Sequence, residues 1–212
     1  MIRINPHTNI NNEITLNLSA AKTSAEMNTI FSKDTVKQEN TEIQGITLEK
    51  EKVSPKGSTN PEHLKNAPEP IITIAGEKKF AAIVVDTKTN LLYKYNDKGQ
   101  AEIVYSVATG KKSTPTRKGI KMITNVETYP YKTAYGTKRK RNPRDYGPNV
   151  IIIENINPET GKIYGNNGQF IHGNKNPASL GKYASLGCVR MDNEVIKELS
   201  KEVQKNTYVL IQ

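Results

Sequence analysis

Cys188 is the only cysteine among 212 residues, and His172, one of three histidines, precedes it by sixteen positions. A thiol attacks only as its thiolate, and a free cysteine, with a pKa of about 8.5, is mostly thiol at neutral pH. A neighbouring imidazole takes that proton and can later return it to a leaving amine. The stretch between the two carries Gly173, Pro177, Gly181 and Gly187, enough to turn the chain back and set the side chains face to face. Gly187 also lets backbone approach a substrate with no Cβ in the way. The pattern points to acyl transfer through a covalent thioester. Taken singly the residues read differently. A lone cysteine is usually a small buried hydrophobe, and a histidine after Phe170-Ile171 is as readily a hydrogen-bonded core residue.

Around the pair stand the other groups that acyl transfer needs. The backbone N–H groups of Gly187 and Cys188 are candidates for an oxyanion site. Arg190 has the planar fork that binds a carboxylate bidentately; the competing reading pairs it with a loop carbonyl or with Asp192. Ser185 either fixes the loop or meets substrate. Three scattered histidines and one cysteine give no metal-ligand spacing, so neither a metal nor another cofactor is expected.

His172-Gly173, a loop, and then Ser185-Leu186-Gly187-Cys188-Val189-Arg190 resemble the signature of the L,D-transpeptidase catalytic domain. Thr109-Gly110 followed by Thr114-Pro115-Thr116 and Gly119, and the pair Ile83–Asp86 and Leu91–Tyr95, resemble the same family's upstream segments in the same order. The resemblance spans roughly residues 78–212. It implies a mainly β domain, sandwich-like or barrel-like, with one packed helix. It also implies a cysteine enzyme that cross-links peptidoglycan stem peptides outside the cytoplasmic membrane. Cys188 would attack the carbonyl of the third residue of a tetrapeptide stem and release the terminal D-Ala. A side-chain amine of a second stem would complete a 3–3 cross-link; water as acceptor would make the protein an L,D-carboxypeptidase. In similar enzymes the backbone carbonyl at the position of Gly173 orients the histidine. Members commonly carry histidine where this chain has Leu186, which removes a polar group beside the nucleophile. That departure and the long polar N-terminus keep a further reading open, a wall-binding or secreted interaction protein that retains the fold without turnover.

The elements that must position these residues lie in the last two thirds of the chain. Of thirteen Phe and Tyr residues only Phe31 precedes residue 71, and the first seventy residues are rich in Asn, Thr, Ser, Glu and Lys. Such a segment buries too little apolar area to offset its ordering entropy. Residues 1–70 are therefore expected to be disordered or weakly structured, with a short helix near Ala20–Phe31, and residues 71–212 to form the domain. Charge divides at the same point: eight basic against nine acidic residues before it, 23 against 12 after it. A basic domain favours an anionic partner, and Lys138 to Arg141 with Arg144 superficially looks like a nucleic-acid patch. A wall substrate with carboxylates fits the charge as well, and the expected partner is peptidoglycan rather than nucleic acid. No apolar run reaches eighteen residues, so no membrane span is expected. The start lacks the apolar core of an ordinary signal peptide, so either a signal lies outside this sequence or export uses another route. Nothing in the sequence indicates oligomeric state.

Within the domain, residues 80–86, 91–95, 103–107, 120–126 and 150–154 read as strands, and 170–172 as the end of one that delivers His172 to a sheet rim. Val195, Ile196, Leu199 and Val203 fall on one face of a helix that Asp192 would cap, with Glu194 in its first turn. Residues 207–211 read as a closing strand. The irregular, tyrosine-rich stretch 127–148 is either a lid over the cleft or an ordinary surface loop.

Overall fold

Apolar residues in this chain alternate wherever a strand separates two interiors, and that alternation builds the architecture. The computed structural model describes residues 51–132, 143–165 and 169–212. A single helical turn, α1 (Pro61–Leu64), precedes a hairpin of β1 (Ile71–Ile74) and β2 (Glu77–Phe80). Then come β3 (Ile83–Asp86), β4 (Leu91–Tyr95), β5 (Ala101–Ser106), the short β6 (Thr109–Gly110) and the long β7 (Gly119–Thr128). They are followed by β8 (Asn149–Asn155), β9 (Gln169–His172), β10 (Tyr183–Ser185), β11 (Val189–Arg190), α2 (Asn193–Glu202) and β12 (Tyr208–Ile211). Eight strands form one curled sheet in the order β11-β9-β8-β7-β12-β3-β4-β5. The pairs β11–β9 and β12–β3 are parallel and the rest antiparallel. The mainly β architecture with one packed helix is as the sequence implies.

Period-two alternation assigns each strand's residues to two interiors. Ile83, Val85, Ile151, Ile153, Ile171 and Val189 face the side on which α2 packs Val195, Ile196 and Leu199. On the opposite side Val84, Tyr93 and Val104 form a second cluster with Ile72 and Ile74 of the hairpin. A third, smaller cluster joins Val150, Ile152 and Phe170 to Tyr131, Tyr146 and Cys188. The Asp192 carboxylate caps α2, accepting from the N–H groups of Glu194 (2.9 Å) and Val195 (3.4 Å).

Two expectations need correction. The boundary drawn at residue 70 falls inside the compact unit, which runs from Lys50 to Gln212. Val53, Leu64 and Ala67 pack against the second cluster. Ser58 pairs with Val104 through two backbone hydrogen bonds, at 2.8 and 3.0 Å, and Tyr95 donates its hydroxyl to the Pro68 carbonyl. A few apolar residues and a run of backbone bonds tie this polar segment down, which composition averages conceal. The strand expected over 80–86 is two elements: Phe80 ends β2, and the Ala81 N–H turns to the Pro70 carbonyl (2.8 Å) before β3 begins. The expected helix near Ala20–Phe31, and Lys138 to Arg141, lie outside the described residues.

Candidate active site

His172 is the last residue of β9 and pairs with Arg190 on one side and Val150 on the other. Ile171 points to the α2 side, so Phe170 and His172 point to the other. Cys188 stands two residues before Arg190 at the entry to β11, and so shares the His172 face. The sixteen-residue excursion thus returns as the neighbouring parallel strand. His172, Cys188 and Arg190 line one cleft, together with Ser185, Leu186, Asp145 and Tyr146. His172 and Cys188 are both buried, at 3% and 7% exposure.

The His172 ring is held from two directions. Its Nδ1 lies 2.6 Å from the Gly173 carbonyl oxygen. A carbonyl only accepts, so Nδ1 carries a hydrogen, and in the neutral ring Nε2 is the nitrogen with the lone pair. Tyr146 packs against the ring edge-to-face, centroids 4.8 Å apart at 75°, and repeats that geometry with Phe170 (5.7 Å) and Tyr131 (6.2 Å). Tyr131 in turn donates to the Gly147 carbonyl. Of the stretch 127–148, the described part is therefore packed beside the cleft; the centre, where a lid would lie, is outside the described residues.

Gly173 is fixed by close packing. A Cβ built there would lie 2.5 Å from Asn193 Oδ1 and 3.0 Å from the Gly147 Cα, and one built on Gly147 would lie 2.7 Å from the Gly173 Cα. The two backbones thus touch where only glycine fits. Asn193, the first residue of α2, accepts the Asn174 N–H through Oδ1 at 2.7 Å.

The loop that carries Cys188 is braced from within. Ser185 is fully buried; its hydroxyl donates to the Cys188 carbonyl (2.5 Å) and accepts the Gly187 N–H (3.0 Å). Ser185 is thereby a loop brace. The Gly187 N–H is thus engaged by the Ser185 hydroxyl. Gly187 has φ +116°, a conformation that disfavours any side chain. The Ser185 carbonyl is held by the Lys111 N–H (3.1 Å) and the Thr114 hydroxyl (3.3 Å), and the Gly110 N–H closes this Thr-Pro loop on Thr116 Oγ1 (2.8 Å). Leu186 is 53% exposed on the cleft rim. The expected alternative partner of Arg190 is occupied: the Asp192 carboxylate meets Lys56 Nζ at 2.7 Å. Among the described residues no carboxylate lies within ion-pair distance of Arg190, which is half-buried in the cleft.

Sequence reading missed Gly147, Asn193, Tyr146 as the histidine's neighbour, and Gln169, whose side chain reaches the nucleophile loop. Strand alternation places Gln169 on the face opposite His172 and could have flagged it. The others depend on contacts between distant segments.

The family model for the L,D-transpeptidase catalytic domain (YkuD) matches residues 81–211. The chain belongs to the L,D-transpeptidase family. YqjB of Bacillus subtilis (strain 168), assigned by name alone to the L,D-transpeptidases, is 33% identical over 129 residues, covering 61% of this chain and 69% of that protein. Solved structures with which it shares a lower likeness include the catalytic domain of the Enterococcus faecium L,D-transpeptidase. That pair is 22% identical at a TM-score of 0.43, over 63% of this chain and 98% of the other. An L,D-transpeptidase from Mycobacterium tuberculosis is 15% identical at a TM-score of 0.45, over 63% and 58%. Membership rests on the family model. Among the described residues no group of three or more His, Cys, Asp or Glu is arranged to hold a metal, and no helix is long and apolar enough to cross a membrane.

Proposed function

We propose that this L,D-transpeptidase family member cross-links peptidoglycan stem peptides through a thioester on Cys188. The observation that supports the reading is the Nδ1–H···O=C bond from His172 to Gly173 at 2.6 Å, which makes Nε2 the basic nitrogen of a neutral ring that shares its sheet face and its cleft with Cys188. In the first half-reaction Nε2 takes the thiol proton and the sulfur adds to the carbonyl carbon of the third stem residue. The C–S bond forms, the C–N bond breaks, and the imidazolium returns its proton to the departing D-Ala nitrogen. In the second half, an amine of another stem adds to the thioester, loses its proton to Nε2 and expels the thiolate. The product is a 3–3 amide link, and the enzyme is regenerated. The Cys188 N–H is the oxyanion donor, and Arg190 pairs with a substrate carboxylate across the cleft. Such a substrate sets the site of action at the cell envelope, outside the cytoplasmic membrane.

The decisive experiment incubates the protein with a purified disaccharide-tetrapeptide and follows intact mass and products. Adduct formation at Cys188 with loss of D-Ala, followed by a dimeric muropeptide, is expected. Accumulation of tripeptide without dimer would instead identify an L,D-carboxypeptidase, and absence of both adduct and product would end the enzymatic reading. Cys188→Ser should retain the fold and lose turnover, because His172 scarcely ionises a serine hydroxyl. Arg190→Ala should raise KM more than it lowers kcat if the pair forms equally in ground and transition states.

A further inference from the structure

Gln169 opens β9 one residue before Phe170 and is 4% exposed. Its Nε2 lies 3.2 Å from the Gly187 carbonyl oxygen and 3.5 Å from that of Arg117. Facing two acceptors, this end of the side chain must be the NH2 group. By strand alternation Gln169 sits on the face of β9 opposite His172, so the Gly187 carbonyl is drawn to that opposite face. The peptide joining Gly187 to Cys188 is planar and trans, and in a trans peptide C=O and N–H point in opposite directions. Drawing the carbonyl away from the cleft therefore turns the Cys188 N–H toward it.

The neighbouring peptides are held differently. Ser185 Oγ takes the N–H of the one before, at Gly187, and the carbonyl of the one after, at Cys188. Ser185 fixes both flanks, and the carbonyl of the middle peptide is held by Gln169 instead.

We propose that Gln169 is a positioning residue for acyl transfer, setting the Cys188 N–H as the oxyanion donor by gripping the carbonyl on the far side of the same peptide. The proposal rests on the acyl-transfer reading above. It makes a claim that a general structural role does not: Gln169 supports steps in which negative charge develops on a carbonyl oxygen, and not the formation or reactivity of the thiolate.

Two reagents that consume the same sulfur separate these. A β-lactam acylates Cys188 by addition to its carbonyl and uses an oxyanion donor. Iodoacetamide alkylates the thiolate by displacement at carbon, with no oxyanion. Gln169→Met keeps the length without a donor, and Gln169→Glu keeps the shape and places an acceptor against the Gly187 carbonyl; the second carries the test if the first does not fold. In either, the rate constant of acylation should fall about tenfold to a hundredfold, less than the roughly 10²–10³-fold that outright loss of an oxyanion donor costs, because the donor is misaimed and not removed. Turnover should fall with it at unchanged KM, while the alkylation rate and its pH midpoint stay at the parent values. Acylation at the parent rate would show that the peptide needs no grip from Gln169. Equal losses in acylation and alkylation would show that Gln169 only braces the loop. Either result overturns the proposal while leaving Cys188 chemistry intact. A parent protein that alkylates but is not acylated and does not turn over would overturn the acyl-transfer reading, and this proposal with it.

Discussion

Gly173→Ala is the most informative single change in the His172 anchor. The added methyl would lie 2.5 Å from Asn193 Oδ1, 2.8 Å from Pro148 Cδ and 3.0 Å from the Gly147 Cα. The worst contact is about 0.9 Å inside ordinary van der Waals distance. None of the three neighbours yields easily. Asn193 Oδ1 holds the Asn174 N–H, Pro148 is a ring, and Gly147 is backbone. The strand end must therefore move by roughly the overlap, and the Gly173 carbonyl moves with it. A 2.6 Å bond to His172 Nδ1 that lengthens this much leaves hydrogen-bond range. Overpacking of this kind costs about 1–3 kcal/mol, which for a unit of this size lowers Tm by about 2–12 °C. A misplacement near 1 Å in a catalytic group costs about 10²-fold, and kcat should fall by about that much at temperatures where the variant is folded. Ile171→Val on the core face of the same strand is the control, costing about 1 kcal/mol with kcat unchanged. Turnover and iodoacetamide alkylation against pH, beside thermal melts of both variants, make the measurement. A Gly173→Ala protein that melts lower yet keeps the parent kcat and alkylation profile would refute the anchoring role of the carbonyl. So would an Ile171→Val protein that loses as much activity.

Deletion of residues 1–50 should leave a folded, active unit, whereas deletion of 1–70 removes Val53, Leu64, Ala67 and the Ser58–Val104 pairing and should lower Tm clearly; melts of both truncations decide. Asp192→Ala should destabilise by about 1 kcal/mol through loss of the α2 cap. Burial works to raise the Asp192 carboxyl, but Lys56 and the N–H groups of Glu194 and Val195 overcome it and hold it below 3.8. Its contribution is therefore present above that value and lost as pH falls through the lower folded value, so parent and variant denaturation midpoints should converge in strong acid. Lys121 is buried, and burial, aided by Arg117, pushes its ammonium below 10.5. The unfolded chain binds the proton more tightly, so this residue's contribution to stability rises with pH from the depressed value up to 10.5 and is flat below it. The difference between parent and Lys121→Met in urea midpoints should show that rise; a pH-independent difference would refute it.

The shared placement of His172 and Cys188 in one cleft was legible because its signals are local. His172-Gly173 and Ser185 to Arg190 are short runs whose residue types already state a chemistry. The strand of Val150 to Glu154 and the helix bearing Val195, Ile196 and Leu199 were legible because each carries its own period. What escaped depends on distant partners. Gly147 matters only because Gly173 and Asn193 arrive beside it, and no spacing conveys that. That the Gly187 N–H bonds the Ser185 hydroxyl two residues away is likewise a matter of loop geometry that residue types do not state. The 51–70 segment failed a compositional test since three modest apolar contacts and backbone pairing, rather than aromatic bulk, hold it.

The two faces of β9 also govern how this protein can drift. Ile171 belongs to the core that keeps the chain folded, while Phe170 and His172 belong to the cleft side, and they alternate within four residues. Conservative substitutions at Ile171 can accumulate with little consequence for the cleft, whereas Gln169, on the same face, is tied to it through the Gly187 carbonyl. Insertions and deletions have no such freedom, since a slip of one residue would send His172 into the core and Ile171 into the cleft. Lineages descending from this sequence should therefore vary in residue type at Leu186 and along the cleft rim while keeping the length of 169–172 fixed.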